Sequence, residues 1–204
     1  MVKQIPNTIT LIRLLLAIPI TINIYQGNEG LALILFIIAG LSDGLDGFLA
    51  RKFSWQSKFG QLLDPLADKC LILSTLLALA FAELLPLWFV ALLLIRDAIA
   101  VMGSMLYLMI FEGRNTESNR WGKHYTGWTI ALFIITLLQE SIGAGILIFN
   151  LLFPVALIGV LVFTALSLFY YFLLILLIYK FLYIYLYYFQ NKIQFDFQKN
   201  LFFF

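Results

Sequence analysis

The 204 residues are 63% hydrophobic and 12% charged, whereas a soluble domain carries about 25% charged residues. A soluble globular domain is thereby excluded in favour of an all-α, polytopic membrane protein. The net charge of +2 says little by itself, and no nucleic acid is expected as a partner. The single cysteine, Cys70, excludes an intrachain disulfide framework and a cysteine-only metal site, and reads as a small apolar packing residue.

Apolar runs near the spanning length of ~20 residues predict about six transmembrane helices, at 8–26, 30–51, 60–82, 86–111, 124–140 and 146–178. The first follows Lys3 and mimics a signal peptide, but no small-residue cleavage site follows it, so it reads as a retained span. The last is long enough to tilt or to break at Pro154. Beyond it, residues 179–204 form an aromatic tail with Lys180, Lys192 and Lys199. Its FLYIYLYYF run suits an interfacial helix. Two regions are expected: a membrane domain at 1–178 and a tail of no assigned role at 179–204.

Charge orients the spans. The connectors at 52–59 and 112–123 hold Lys52, Lys58, Arg114, Arg120 and Lys123, whereas the opposite connectors hold Glu29, Glu83 and Glu140 and no lysine or arginine. The positive-inside rule therefore puts the N-terminus and the first set of connectors in the cytoplasm.

Four aspartates fall on that side, at the end of the second span and the start of the third: Asp43, Asp46, Asp64 and Asp68. Each carboxylate near hydrocarbon is penalised by about 2.5–3.5 kcal/mol on insertion scales, so four together call for a compensating cation. Spacings of three and four place each pair on one helix face. Two such faces brought together make an oxygen cage suited to Mg²⁺ or Mn²⁺ rather than to sulfur- or nitrogen-preferring metals. A divalent-cation transporter would also place acids in the membrane, but would spread them near mid-bilayer over several helices.

The aspartates lie in the pattern D-x2-D-G-x2-A-R-x8-G-x3-D-x3-D, met by Asp43, Asp46, Gly47, Ala50, Arg51, Gly60, Asp64 and Asp68. Here the chain resembles the CDP-alcohol phosphotransferase family of integral membrane enzymes. The resemblance implies two metal ions held by Asp43, Asp46, Asp64 and Asp68, with Asp68 also the general base. It implies that Gly47, Arg51 and Ser57 bind the CDP portion of a CDP-linked lipid. Physical reasons stand beside these roles: glycine permits close backbone approach, and a planar guanidinium suits phosphate. A loop serine such as Ser57 is more often merely solvated. The entry Pro6-Asn7-Thr8-Ile9-Thr10-Leu11-Ile12-Arg13 resembles the family's P-N-x-x-T-x-x-R signature, which would set Asn7 and Thr10 on the cytidine or its phosphates. Asn7 also reads as a helix cap, and Arg13 as a residue snorkelling to lipid phosphates.

A second polar group is a candidate for the acceptor: Arg96 within the fourth span, and Arg114, Arg120 and Lys123 on the cytoplasmic side. Arg96-Asp97 also reads as a structural ion pair, and surface cations as partners of anionic lipid headgroups. His124, the one histidine, reads as interfacial. The segment LDPLADK and the entry resemble phosphatidylglycerophosphate synthases, which implies CDP-diacylglycerol as donor and glycerol 3-phosphate as acceptor. Span four departs from those enzymes. Its IRDAIAVMGSMLY resembles the cardiolipin synthases of the same family, which implies phosphatidylglycerol as the alternative acceptor. The resemblance further implies a bacterial inner-membrane enzyme of phospholipid synthesis, with its site facing the cytoplasm among membrane lipids. Small-residue helix packing allows a homodimer.

Overall fold

The structure, a computed structural model, describes residues 5–53, 58–110, 120–143 and 147–201, with side chains over 10–42, 44, 66–107, 109–110, 120–143, 147–183 and 187. Among them are six α-helices and no strand: α1 (Ile5–Tyr25), α2 (Glu29–Phe53), α3 (Lys58–Phe81), α4 (Leu87–Ile110), α5 (Arg120–Ile142) and α6 (Leu147–Leu201). Each coincides with one of the six apolar runs to within a few residues, except at the far end of α6.

The short connections are made by recognisable caps. After α1, Gly27 adopts φ 72°, and the Asn28 N–H donates back to the Asn23 carbonyl at 2.9 Å, a Schellman closure that favours glycine. After α3 the same closure is made by Glu83 at φ 61°, with the Leu84 N–H donating to the Leu79 carbonyl at 2.9 Å. A non-glycine residue in the left-handed region is uncommon, and here it turns the chain directly into α4.

α1 packs on α2 and α3, α5 on α2 and α6, and α4 on α6 and α3. Small side chains at Ala17, Ala32, Ala39 and Ala78 are buried where the helices meet. Close backbone approach of this kind drives packing in lipid, where apolar burial alone supplies no preference. Phe36 and Phe133 join α2 to α5 edge to face, with centroids 5.9 Å apart. At Gly159 the ring of Trp128 sits so near that a Cβ would lie 2.5 Å from Cε3.

Two helical stretches, Leu87–Tyr107 and Leu147–Tyr183, are long and apolar enough to cross a membrane, and shorter apolar stretches lie at Thr10–Tyr25 and Glu29–Ser42. The outward faces carry large apolar side chains such as Leu151, Ile158, Val162 and Phe169, as a lipid solvent demands. α6 continues through Pro154 without a break and on to Leu201. At 1.5 Å per residue its 55 residues reach roughly 80 Å, well beyond a hydrocarbon core of about 30 Å.

Candidate active site

Asp43, Asp46, Gly47 and Arg51 lie on the C-terminal half of α2, Asp64 and Asp68 near the start of α3, and Asn7 and Thr10 in the first turns of α1. The helix ends that the motif needs are thus joined by one short connection. Ser57 and Arg114 lie outside the described residues, as do the side chains of Asn7, Asp43, Asp46, Arg51 and Asp64. Among the described residues no three acidic, histidine or cysteine side chains gather as a metal site. The four aspartates that the motif sets along the two helices offer carboxylate oxygens, without sulfur or imidazole. Such an all-oxygen set fits a hard divalent ion.

Asp68 is described in full, and its partner is Arg13. The Arg13 Nη1 donates to Asp68 Oδ1, binding α1 to α3. The Arg13 side chain is 0% exposed and that of Asp68 44% exposed. The guanidinium is therefore sealed inside the bundle rather than reaching for lipid phosphates, while the carboxylate keeps access to solvent. Thr10, one turn before Arg13, is buried as well. Arg13 is visible in sequence as the last member of the entry signature. Its partner is not, because nothing in a linear pattern says which face of α1 meets α3.

Arg96 organises a second polar group. It is buried, and its Nη1 donates to Asp97 Oδ1 at 2.7 Å. Its Nη2 donates to Ser167 Oγ at 2.5 Å, and its Cζ lies 3.9 Å from the centroid of the Tyr125 ring, within cation–π range. The Arg96–Asp97 pair is thus real, and it is also part of a junction of α4, α5 and α6. Sequence reasoning misses Ser167 and Tyr125. The available signal is a lone serine inside the longest apolar run.

A cleft of about 840 Å³ opens beside this junction, walled by Lys69, Arg96 and Lys123 together with Ser104, Met105 and Tyr171. Of the basic candidates, Arg96 and Lys123 face it, whereas Arg120 is exposed and absent from its wall. Lys69 follows Asp68 directly as the last residue of the LDPLADK segment, and the sequence reading assigns it no role. His124 is exposed and stacks on Phe163, with centroids 5.2 Å apart, in a cluster that includes Trp128. A cleft lined by three cations together with apolar side chains can hold an anionic molecule that has an apolar portion.

The chain matches the family model of the CDP-alcohol phosphatidyltransferases over residues 3–189. It is 41% identical over 97 residues to a probable cardiolipin synthase (CMP-forming) of Drosophila melanogaster, covering 47% of this chain and 30% of the relative. It is 47% identical over 75 residues to the cardiolipin synthase (CMP-forming) of Streptomyces coelicolor, covering 37% of this chain and 35% of the relative. The chain thus spans about a third of the length of these two relatives. To the CDP-diacylglycerol–glycerol-3-phosphate 3-phosphatidyltransferase of Bacillus subtilis it is 36% identical over 155 residues, covering 68% of this chain and 78% of the relative. The family is membrane-bound and generally dependent on divalent metal, which leaves the transporter alternative without support. With its aspartate motif, apolar helices and a match over nearly its whole length, this chain belongs to the CDP-alcohol phosphatidyltransferase family.

Proposed function

We propose that the protein transfers the phosphatidyl group of CDP-diacylglycerol to glycerol 3-phosphate, releasing CMP. The observation that carries this reading is the setting of Asp68: the last aspartate of the motif has one face on Arg13 and lies next to a cleft walled by Lys69, Arg96 and Lys123. In the proposed reaction the acceptor hydroxyl attacks the lipid-side phosphorus, the bond from that phosphorus to the bridging oxygen breaks, and CMP leaves. Asp68 takes the hydroxyl proton. Asn7, Thr10, Gly47, Arg51 and Ser57 bind the CDP portion, and the cleft cations hold the acceptor phosphate. Asp43, Asp46, Asp64 and Asp68 would hold two Mg²⁺ or Mn²⁺ ions. When bound, these ions neutralise the phosphate oxygens and stabilise the leaving group.

A second reading, with phosphatidylglycerol as acceptor and hence cardiolipin synthesis, is favoured by the apolar part of the cleft lining. Ala100, Val101 and Met105 there present an apolar surface that a lipid would cover and glycerol 3-phosphate would not. In either reading all six helices span, as a membrane domain at 1–178 with the tail at 179–204. The N-terminus and the site face the cytoplasm of a bacterial inner membrane, and the assembly is a homodimer.

The test is acceptor kinetics in Arg96→Gln and Lys123→Gln variants. A rise in acceptor KM with the CDP-diacylglycerol KM unmoved supports the placement of the acceptor. Unchanged acceptor KM in both variants removes the cleft from the reaction.

A further inference from the structure

Three cavities meet at Thr126. The first is the basic cleft of about 840 Å³. The second, about 180 Å³, is walled by Arg13, Asp68, Phe36 and Gly40. The third, about 90 Å³, lies between them and is walled by Lys69, Arg96, Asp97 and Tyr125. Lys69 and Arg96 are shared by the first and third, and Ile72 by the second and third. Among the described residues Thr126 alone is shared by all three.

Its side chain is half-buried and held in place. The hydroxyl donates to the Gly122 carbonyl one turn back at 3.1 Å, and a β-branched residue on a helix has little χ1 freedom left. Two neighbouring positions carry no side chain, Gly122 in the cleft wall and Gly127, where a Cβ would meet nothing within 4 Å, while Lys123 walls the cleft and Tyr125 the third cavity. One fixed side chain of α5 therefore stands where the basic cleft meets the chamber that contains Asp68.

We propose that Thr126 is a specificity-determining partition, the side chain past which the hydroxyl of an anionic, phosphate-bearing alcohol must reach from the basic cleft to Asp68. Its size then sets how bulky an acceptor can react. This inference rests on the proposed placement of the acceptor in the cleft. It adds a residue whose role is steric: Thr126 tunes which acceptor arrives and leaves the donor side alone.

The test uses the full chain in mixed micelles with CDP-diacylglycerol and Mn²⁺, with glycerol 3-phosphate and phosphatidylglycerol supplied separately. Thr126→Leu is expected to raise the acceptor KM by about tenfold or more, the scale of one or two misplaced carbons in a fitted site. The KM for CDP-diacylglycerol should stay within about threefold, a split that general misfolding does not produce. Thr126→Ala is expected to raise kcat/KM for phosphatidylglycerol relative to glycerol 3-phosphate by about fivefold. Thr126→Val, of the same shape, should recover most of what Leu loses. Parallel changes in both KM values, or an Ala variant with the wild-type acceptor ratio, would overturn the partition. If Leu prevents folding, the Ala ratio alone decides. Arg96→Gln and Lys123→Gln separate the two levels. If they raise the acceptor KM while the Thr126 series does not, only the partition falls. If they leave it unmoved, the cleft reading falls first.

Discussion

Removing the charge of Asp68 should cost more folding stability than removing that of Arg13, although both changes break the same ion pair. The asymmetry follows from exposure, 0% for the Arg13 side chain and 44% for Asp68. In Asp68→Asn the guanidinium stays sealed in the bundle without this carboxylate. Losing one partner of a buried charge costs about 3–5 kcal/mol, and the lower end, about 3 kcal/mol, applies where one member is half-exposed. In Arg13→Met the remaining carboxylate is hydrated by the solvent it already touches, and the methionine fills the vacated space. The cost then falls toward that of exposed pairs, about 0–1 kcal/mol, with at most about 1.5 kcal/mol more for the altered packing. The double variant removes the buried guanidinium as well, so it should lie near Arg13→Met, with a coupling close to the whole Asp68→Asn cost, about 3 kcal/mol. The assay is equilibrium unfolding in mild detergent without divalent ions, followed by tryptophan fluorescence. Arg13→Met as destabilising as Asp68→Asn, or single effects that simply add, would refute the inference from burial.

Further outcomes concern the chemistry and the packing. Asp68→Asn should lower turnover by about 10²–10⁴-fold, the usual contribution of a general base. Near-normal turnover with metal bound would remove that role. Arg51→Lys should raise the CDP-diacylglycerol KM by about tenfold, because an ammonium cannot reproduce bidentate phosphate contact; an unchanged KM would take Arg51 out of the donor site. Gly159→Ala forces a Cβ to within 2.5 Å of Trp128 Cε3, so α5 and α6 must move apart at a cost of about 1–3 kcal/mol. A lowered midpoint in thermal unfolding is the expected result, and an unchanged one would contradict so close an approach of the two helices.

The positions of the helices are legible in the sequence because apolar runs of spanning length are bounded by polar connectors, and all six coincide with observed helices. The family is legible because the aspartate motif, with four carboxylates in 26 residues, carries the resemblance that the match to the family model bears out. The facing of the helices is not legible. Inward and lipid-facing positions are both apolar, so hydropathy cannot say that Arg13 meets Asp68 or that Arg96 reaches Ser167, 71 residues further on. Thr126 is hidden for a related reason: its importance lies in the spaces around it, and a sequence records no spaces. Pro154 reads in sequence as a potential break, yet it sits inside a continuous α6. Proline is tolerated in membrane helices where neighbouring groups satisfy the freed carbonyl.

The most direct measurement is CMP release by the purified protein from CDP-diacylglycerol with Mg²⁺ or Mn²⁺, with glycerol 3-phosphate and phosphatidylglycerol supplied one at a time. Metal-dependent release stimulated by glycerol 3-phosphate is expected, and stimulation by phosphatidylglycerol alone would move the assignment to the second reading. Metal-independent release, or none with either acceptor, would contradict the proposed phosphatidyl transfer.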